Sequence, residues 1–245
     1  VAGVKTEIAE YCRRLRLGKN IALISDQIAA ESHQEYLLKV LKEELAYRES
    51  KMKNRLIKQA GFYTLKTFEG YCFDEIKLPA ELSVADLKEA NFISKKKNLI
   101  LYGNVGTGKT HLATAIGVEA CKQGRIVRFF RTAALVNLLN DAQRKGELGQ
   151  LLKKLSKAEL LICDEWGYVP LDRDGSKLLF QVISERYEQR SVIITTNLEF
   201  SKWVNIFYDE QLTAALIDRL VHHSYLLIFD GQSYRIKNSL MKNYT

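Results

Sequence analysis

Apolar positions in the first sixty residues recur at helical rather than strand spacing, and the stretch contains no proline. The pattern predicts a helix over 6–17 stopped by Gly18, a shorter helix over 20–30, and a long helix over 33–59. Ser32 caps the long helix and Gly61 ends it. Leu38, Leu41, Leu45, Met52 and Leu56 form an apolar stripe along it, and Lys39, Lys42, Arg48, Lys51, Lys53, Arg55 and Lys58 occupy the other side. That basic side reads either as a solvated face or as a surface for nucleic acid or a partner. Residues 62–97 form a connector, broken by Pro79 and carrying a helix over 82–91. From Asn98 the pattern changes. Strands are predicted over 98–102, 125–131, 159–164, 191–195 and 224–230, with helices between them, which is the signature of a parallel α/β sheet. The expected organisation is an all-helical domain over 1–61, a lead-in over 62–97 and an α/β domain over 98–245.

Composition narrows the class. Of 245 residues, 47% are hydrophobic, enough for a sizeable core and against global disorder. The formal charge of +8 favours a polyanionic partner without specifying the fold. Cys12, Cys72, Cys121 and Cys163 are scattered, with no paired spacing for zinc or a disulfide framework, and Cys163 sits inside an apolar run as a core residue would. No apolar run is long enough to span a membrane and no signal peptide is visible, so a soluble, cytoplasmic protein is expected.

The candidate chemistry begins right after the 98–102 strand. Gly103, Asn104, Val105, Gly106, Thr107, Gly108, Lys109 and Thr110 match the phosphate-loop pattern G-x-x-x-x-G-K-[ST] at every fixed position, and a helix starts at about His111. Glycines let backbone N–H groups wrap phosphate oxygens, and the helix N-terminus adds its positive end. Lys109 is placed to reach the β- and γ-phosphates of a nucleoside triphosphate, and Thr110 to ligate Mg²⁺. About fifty-five residues on, the strand Leu160-Leu161-Ile162-Cys163 ends in Asp164 and Glu165. Asp164 suits ordering of Mg²⁺ and Glu165 suits polarising the attacking water. The strand Ser191-Val192-Ile193-Ile194-Thr195-Thr196 runs into Asn197, which at the same sheet edge can orient that water. Arg219 and Arg235 are both candidates for stabilising charge on a γ-phosphate. His222 and His223 are adjacent, are expected to point apart, and read as non-ligands.

These segments together resemble the AAA+ ATPases of the helicase-loader and initiator group, and most closely the IstB-like helpers of insertion-sequence transposition. The resemblance rests on GNVGTGKTHLATAI, CDEWGYVPLDR, LFQVISERYEQRSVIITTN and ALIDRLVHH, and on EELAYRE and LIKQAGF in the N-terminal part. It implies a AAA+ P-loop fold with a five-stranded parallel sheet flanked by helices, a reduced or absent C-terminal lid and a small all-α N-terminal domain. It also implies ATP-dependent assembly into a ring or helical oligomer, binding to double-stranded DNA with little sequence preference, and stimulation of a transposase. The alternative is a replicative helicase loader. By the family pattern the loop through His111 binds nucleotide, Asp164 and Glu165 are the Mg²⁺/water pair, and Asn197 is a sensor. Arg219 acts on a neighbouring subunit's nucleotide, with Arg190 as the competing position, and Arg235 is a second sensor. Two regions are candidates for DNA. Arg131, Arg144, Lys145, Lys153 and Lys154 are favoured over the basic side of the 33–59 helix, because they belong to the ATPase body.

Overall fold

The structure, a computed structural model, describes residues 2–168, 171–207 and 209–237. The chain divides into two compact units, 1–55 and 56–245.

The first unit holds α1 (Ala2–Arg14), α2 (Ile21–Ile24) and α3 (His33–Ala60) as far as residue 55. The Ser32 hydroxyl accepts the Glu35 N–H at 3.1 Å, and Glu35 returns a carboxylate to the Glu31 N–H at 2.8 Å, so α3 starts where Ser32 dictates. The small core is Cys12, Ile21 and Val40, with Ile8, Leu17, Ile28 and Tyr36 against it. This corrects the apolar stripe: Leu38, Leu41, Leu45 and Met52 are exposed. Tyr36, Val40 and Glu44, one turn apart, make the covered face instead. Glu44 is buried because its carboxylate accepts the Gly18 N–H at 2.7 Å and the Arg48 guanidinium at 2.5 Å, while Arg48 also bonds the Arg16 carbonyl at 2.5 Å. The Oε1 oxygen of this carboxylate takes both bonds, and the leucine row stays on the exposed side. The predicted 20–30 helix is only the four residues of α2.

The second unit continues with β1 (Ile76–Lys77), α4 (Val84–Lys88), α5 (Asn91–Ser94), β2 (Asn98–Gly103), α6 (Lys109–Lys122), β3 (Val127–Arg131), α7 (Thr132–Arg144), α8 (Leu148–Ser156) and β4 (Leu160–Trp166). It ends with α9 (Arg173–Arg186), β5 (Ser191–Thr196), a 3₁₀ turn (Phe200–Lys202), α10 (Val204–Phe207), α11 (Glu210–His222), β6 (Ser224–Phe229) and α12 (Tyr234–Lys237). The sheet order is β1-β6-β2-β5-β4-β3. The five expected strands are parallel to their neighbours, and β1 adds a sixth, antiparallel strand at the edge beside β6. Two residues of the lead-in therefore join the sheet, which its irregular composition does not announce.

Period-two alternation splits the strands between two cores. Leu99, Leu101, Leu160, Ile162 and Ile193 pack with α4, α5, α6 and the aromatic lead-in on one face. Ile100, Leu161, Cys163, Val192 and Ile194 pack with α7, α9, α10 and α11 on the other. Trp166 is fully buried against Trp203 and Phe207, a core role. The Cys163 thiol is likewise core, its pKa pushed up to about 12 by burial.

One buried cation ties the second layer together. Arg186 closes α9, with 3% of its surface exposed. It donates to the carbonyls of Leu155 (3.2 Å), Ala158 (3.0 Å) and Ser191 (2.9 Å), joining α8, the start of β4 and the start of β5. Arg186→Met removes the guanidinium's bonds to three carbonyls. It is expected to cost on the order of 3–5 kcal/mol and to lower the melting temperature by roughly 10 °C in a thermal unfolding scan.

Candidate active site

Because β2, β4, β5 and β6 are parallel, their carboxyl ends share one edge, and the candidate residues collect there. β2 delivers Gly103, and Gly106 and Gly108 take left-handed backbone angles (φ 83° and 95°) that let the loop turn back on itself. A Cβ at Gly106 would collide with Ser233 in the segment after β6, whose Tyr234 N–H donates to the Gly106 carbonyl at 2.9 Å. α6 begins at Lys109 with no side-chain cap, so its first N–H groups stay available at the loop. Thr107 donates to the Asn104 carbonyl at 2.8 Å, and Val105 is exposed at the tip. The lead-in walls the other side. The Tyr71 hydroxyl donates to the Gly108 carbonyl at 3.2 Å, its ring lies 4.8 Å from that of His111, and His111 Nε2 is 2.8 Å from the Thr67 carbonyl. Lys109 Nζ donates to the carbonyls of Gly103 (2.8 Å) and Asn104 (2.6 Å). Burial lowers its pKa to about 8; Asp164 pulls it up and Arg235 pushes it further down. Arg235, in α12, therefore stands close to the loop.

The two acids sit on a break in the sheet. β4 and β5 pair regularly as far as Cys163 with Ile194 and resume at Trp166 with Thr196. Asp164 and Glu165 thus face the single residue Thr195, a bulge that bends the strand end and re-aims its side chains. Glu165 takes a left-handed conformation (φ 57°), which costs on the order of 1–3 kcal/mol and needs local support. The support is Thr195, whose hydroxyl accepts the Glu165 N–H at 3.0 Å and donates to Asp164 Oδ1 at 2.5 Å. The Thr110 hydroxyl donates to the same oxygen at 2.8 Å, and the Thr132 hydroxyl donates to the Asp164 carbonyl at 2.9 Å. Thr110 and Asp164 are hard oxygen donors side by side at the foot of the phosphate loop, a set that fits Mg²⁺. Thr195 escaped the sequence reading. Its available signal was two consecutive acids at a strand end opposite a strand ending in threonines.

The other candidates separate. Asn197 is exposed just past the end of β5, at the same edge. Arg131 lies beside the acids. It pairs with Glu165 at 3.3 Å and covers the Tyr63 ring at 4.6 Å. Arg144 stands at the far end of the thirteen-residue α7, about 20 Å of helix away from it. Arg144 and Lys145 close α7, and Lys153 and Lys154 are exposed in the last turn of α8. Arg219 and Arg190 lie at the opposite, amino edge, shortly before β6 and just before β5. Arg219 donates to the Ser184 hydroxyl at 2.5 Å and covers the Phe180 ring at 4.9 Å, both on α9. The six residues of β6, about 17 Å, separate that edge from the loop, so Arg219 cannot serve its own chain's phosphates. His222 and His223 do not point apart: their rings are 4.5 Å from each other, and Glu188 joins them in a close group. The group is held by hydrogen bonds. Lys97 approaches His223 Nδ1 at 3.3 Å and, as a pure donor, needs its lone pair; Nε2 then carries the proton it gives Glu188 at 2.9 Å.

The family model of IstB-like ATP-binding proteins matches residues 19–242. The ATP-binding protein of insertion sequence IS5376 from Geobacillus stearothermophilus is 34% identical over 244 residues, spanning 98% of this chain and 97% of that protein. That of IS232 from Bacillus thuringiensis subsp. berliner is 36% identical over 235 residues, spanning 95% and 94%. That of IS21 from Pseudomonas aeruginosa is 37% identical over 206 residues, spanning 84% and 78%. Among solved structures, AMPPCP-bound DnaA from Aquifex aeolicus superposes with a TM-score of 0.55 at 23% identity, over 70% of this chain and about half (52%) of that one. The DnaC helicase loader superposes with a TM-score of 0.51 at 24% identity, over 66% and 96%. These structures share the AAA+ P-loop fold. Among the described residues no helix is long and apolar enough to cross a membrane.

Lys109 yields a pH prediction. Its pKa stands near 8 before phosphate arrives, below its ordinary 10.5. Phosphate charge favours the ammonium and raises that value. Binding therefore takes up a proton above about pH 8, and ATP affinity falls by up to about tenfold per pH unit as pH rises from there. Calorimetry at pH 8.5 in two buffers of different ionisation enthalpy is expected to show this uptake for the wild type and not for Lys109→Ala.

Proposed function

The chain belongs to the IstB-like ATP-binding protein family, and from that premise we propose that it is an ATP-hydrolysing helper of transposition that assembles on double-stranded DNA and recruits a transposase. The observation that carries the hydrolytic reading is the meeting of Thr110, Asp164 and Glu165 at the foot of the phosphate loop. In this reading the loop N–H groups and Lys109 hold the β- and γ-phosphates, Lys109 exchanging the Gly103 and Asn104 carbonyls for phosphate oxygens. Thr110 and Asp164 hold Mg²⁺, which when bound neutralises charge on the phosphate oxygens. Glu165 accepts a hydrogen bond from the attacking water and takes its proton as the γ-phosphoryl group transfers to it and ADP leaves. Asn197 orients that water, and Arg235 faces the phosphates from the segment after β6. Arg219, out of reach of its own loop, stabilises the γ-phosphate of a neighbouring subunit. Such a head-to-tail contact propagates into a ring or a helical filament.

Glu165→Gln tests the site. It is expected to bind ATP normally and to hydrolyse it at least about a hundredfold more slowly. Wild-type turnover in that variant would remove Glu165 from the mechanism. Mixing Lys109→Ala with Arg219→Ala subunits tests the assembly: each alone is inactive, and mixed oligomers regain hydrolysis because an intact site meets an intact arginine. If Arg219→Ala alone hydrolyses ATP normally while Arg190→Ala does not, the finger is Arg190.

For DNA, the exposed Lys153 and Lys154 with Arg144 and Lys145 are the surface this reading assigns, and the N-terminal unit is left to the transposase. Lys153→Ala with Lys154→Ala is expected to weaken binding to any duplex and to reduce the slope of log affinity against log salt by about 2. Arg131→Ala, whose guanidinium is engaged by Glu165, is expected to change ATP hydrolysis and leave that slope unaltered. Fluorescence anisotropy across a salt series separates the two.

A further inference from the structure

We propose that Thr195 is the positioning residue for both carboxylates of the site, coupling Mg²⁺ binding to the placement of the water-activating group. The inference rests on the hydrolytic reading above for its catalytic part only.

A regular strand end would send Asp164 and Glu165 to opposite faces of the sheet. The bulge sets them both against Thr195 instead, which is 2% exposed and has one hydroxyl for the two of them. That hydroxyl joins the two as donor to one and acceptor from the other. Its single proton goes to Asp164 Oδ1 at 2.5 Å, and a lone pair takes the N–H of Glu165 at 3.0 Å. The first bond fixes the rotation of the carboxylate that Thr110 also meets; the second pins the left-handed backbone from which the Glu165 side chain departs. Thr196 anchors the far side of the bulge, donating to the Trp166 carbonyl at 3.0 Å and accepting the Leu198 N–H at 3.0 Å. Asp164 therefore cannot shift toward or away from a bound cation without moving the Glu165 backbone and the end of β5, where Asn197 follows. Outer groups of this kind, which orient the ligands rather than touch the ion, commonly change metal affinity or activity by 10- to 100-fold when removed.

The test uses the full-length chain, a fluorescent ATP analogue and the variants Thr195→Val, Thr195→Ser and Thr195→Ala. Affinity is measured with Mg²⁺ and with EDTA, and hydrolysis separately. Thr195→Val is expected to bind the analogue in EDTA within about twofold of wild type, to lose about tenfold of the enhancement by Mg²⁺, and to hydrolyse at least about thirtyfold more slowly. Thr195→Ser is expected to stay within about threefold of wild type in every measurement. Serine and alanine differ at this position only in the hydroxyl oxygen, so their comparison carries the same test if valine perturbs folding, as a melting scan would reveal. Mg²⁺ enhancement retained in the valine or alanine variant overturns the proposal. So does a serine variant as impaired as alanine, because then the methyl group and not the hydroxyl matters. If the wild type itself does not hydrolyse ATP, the hydrolytic reading fails, and the Mg²⁺ enhancement still decides the role of Thr195 in cation binding.

Discussion

The constraint on which this molecule depends is that its central strands all run the same way. Parallel pairing of β2 with β5 and β6, and of β4 with β5 and β3, gathers five carboxyl ends at one edge and five amino ends at the other. Whatever polar residue follows an apolar strand is delivered to the carboxyl edge. The phosphate loop, the two acids and Asn197 need no further device to become neighbours. The same polarity sends Arg190 and Arg219 to the amino edge, away from their own chain's phosphate loop.

Inside that frame, a few buried polar groups settle what apolar packing leaves open. Arg186 binds carbonyls from three consecutive pieces of backbone. Glu44 decides which side of α3 faces inward. Thr195 closes the bulge under the acids. Each is buried and makes at least two hydrogen bonds that join separate stretches of backbone. The ion pair between Arg131 and Glu165 is of another kind. It is half exposed, contributes little to stability, and serves mainly to say where Arg131 is.

The site's frame could be read from the chain because its signals are local: a loop pattern fixed at four positions, an apolar strand ending in two acids, another ending in polar residues. Strand–helix alternation from Asn98 onward carried the sheet for the same reason. What was hidden depends on pairing between distant segments. A bulge is a count of two residues against one, so Thr195 acquires its meaning only when β4 and β5 are laid side by side. The Leu38, Leu41, Leu45 and Met52 row has helical period, yet periodicity cannot say that α1 and α2 cover the other side. Arg131 looked like one more surface cation until β3 placed it next to β4. β1 is too short to leave a pattern at all.

The most direct measurement is the structure of the Glu165→Gln protein bound to ATP, Mg²⁺ and duplex DNA, by crystallography or electron cryomicroscopy. The expected result has the γ-phosphate against Lys109, Mg²⁺ between Thr110 and Asp164, and an arginine from the amino edge of an adjacent subunit within hydrogen-bond reach of the same phosphate. Nucleotide bound away from the loop, or an assembly in which no neighbouring arginine approaches the γ-phosphate, would contradict it.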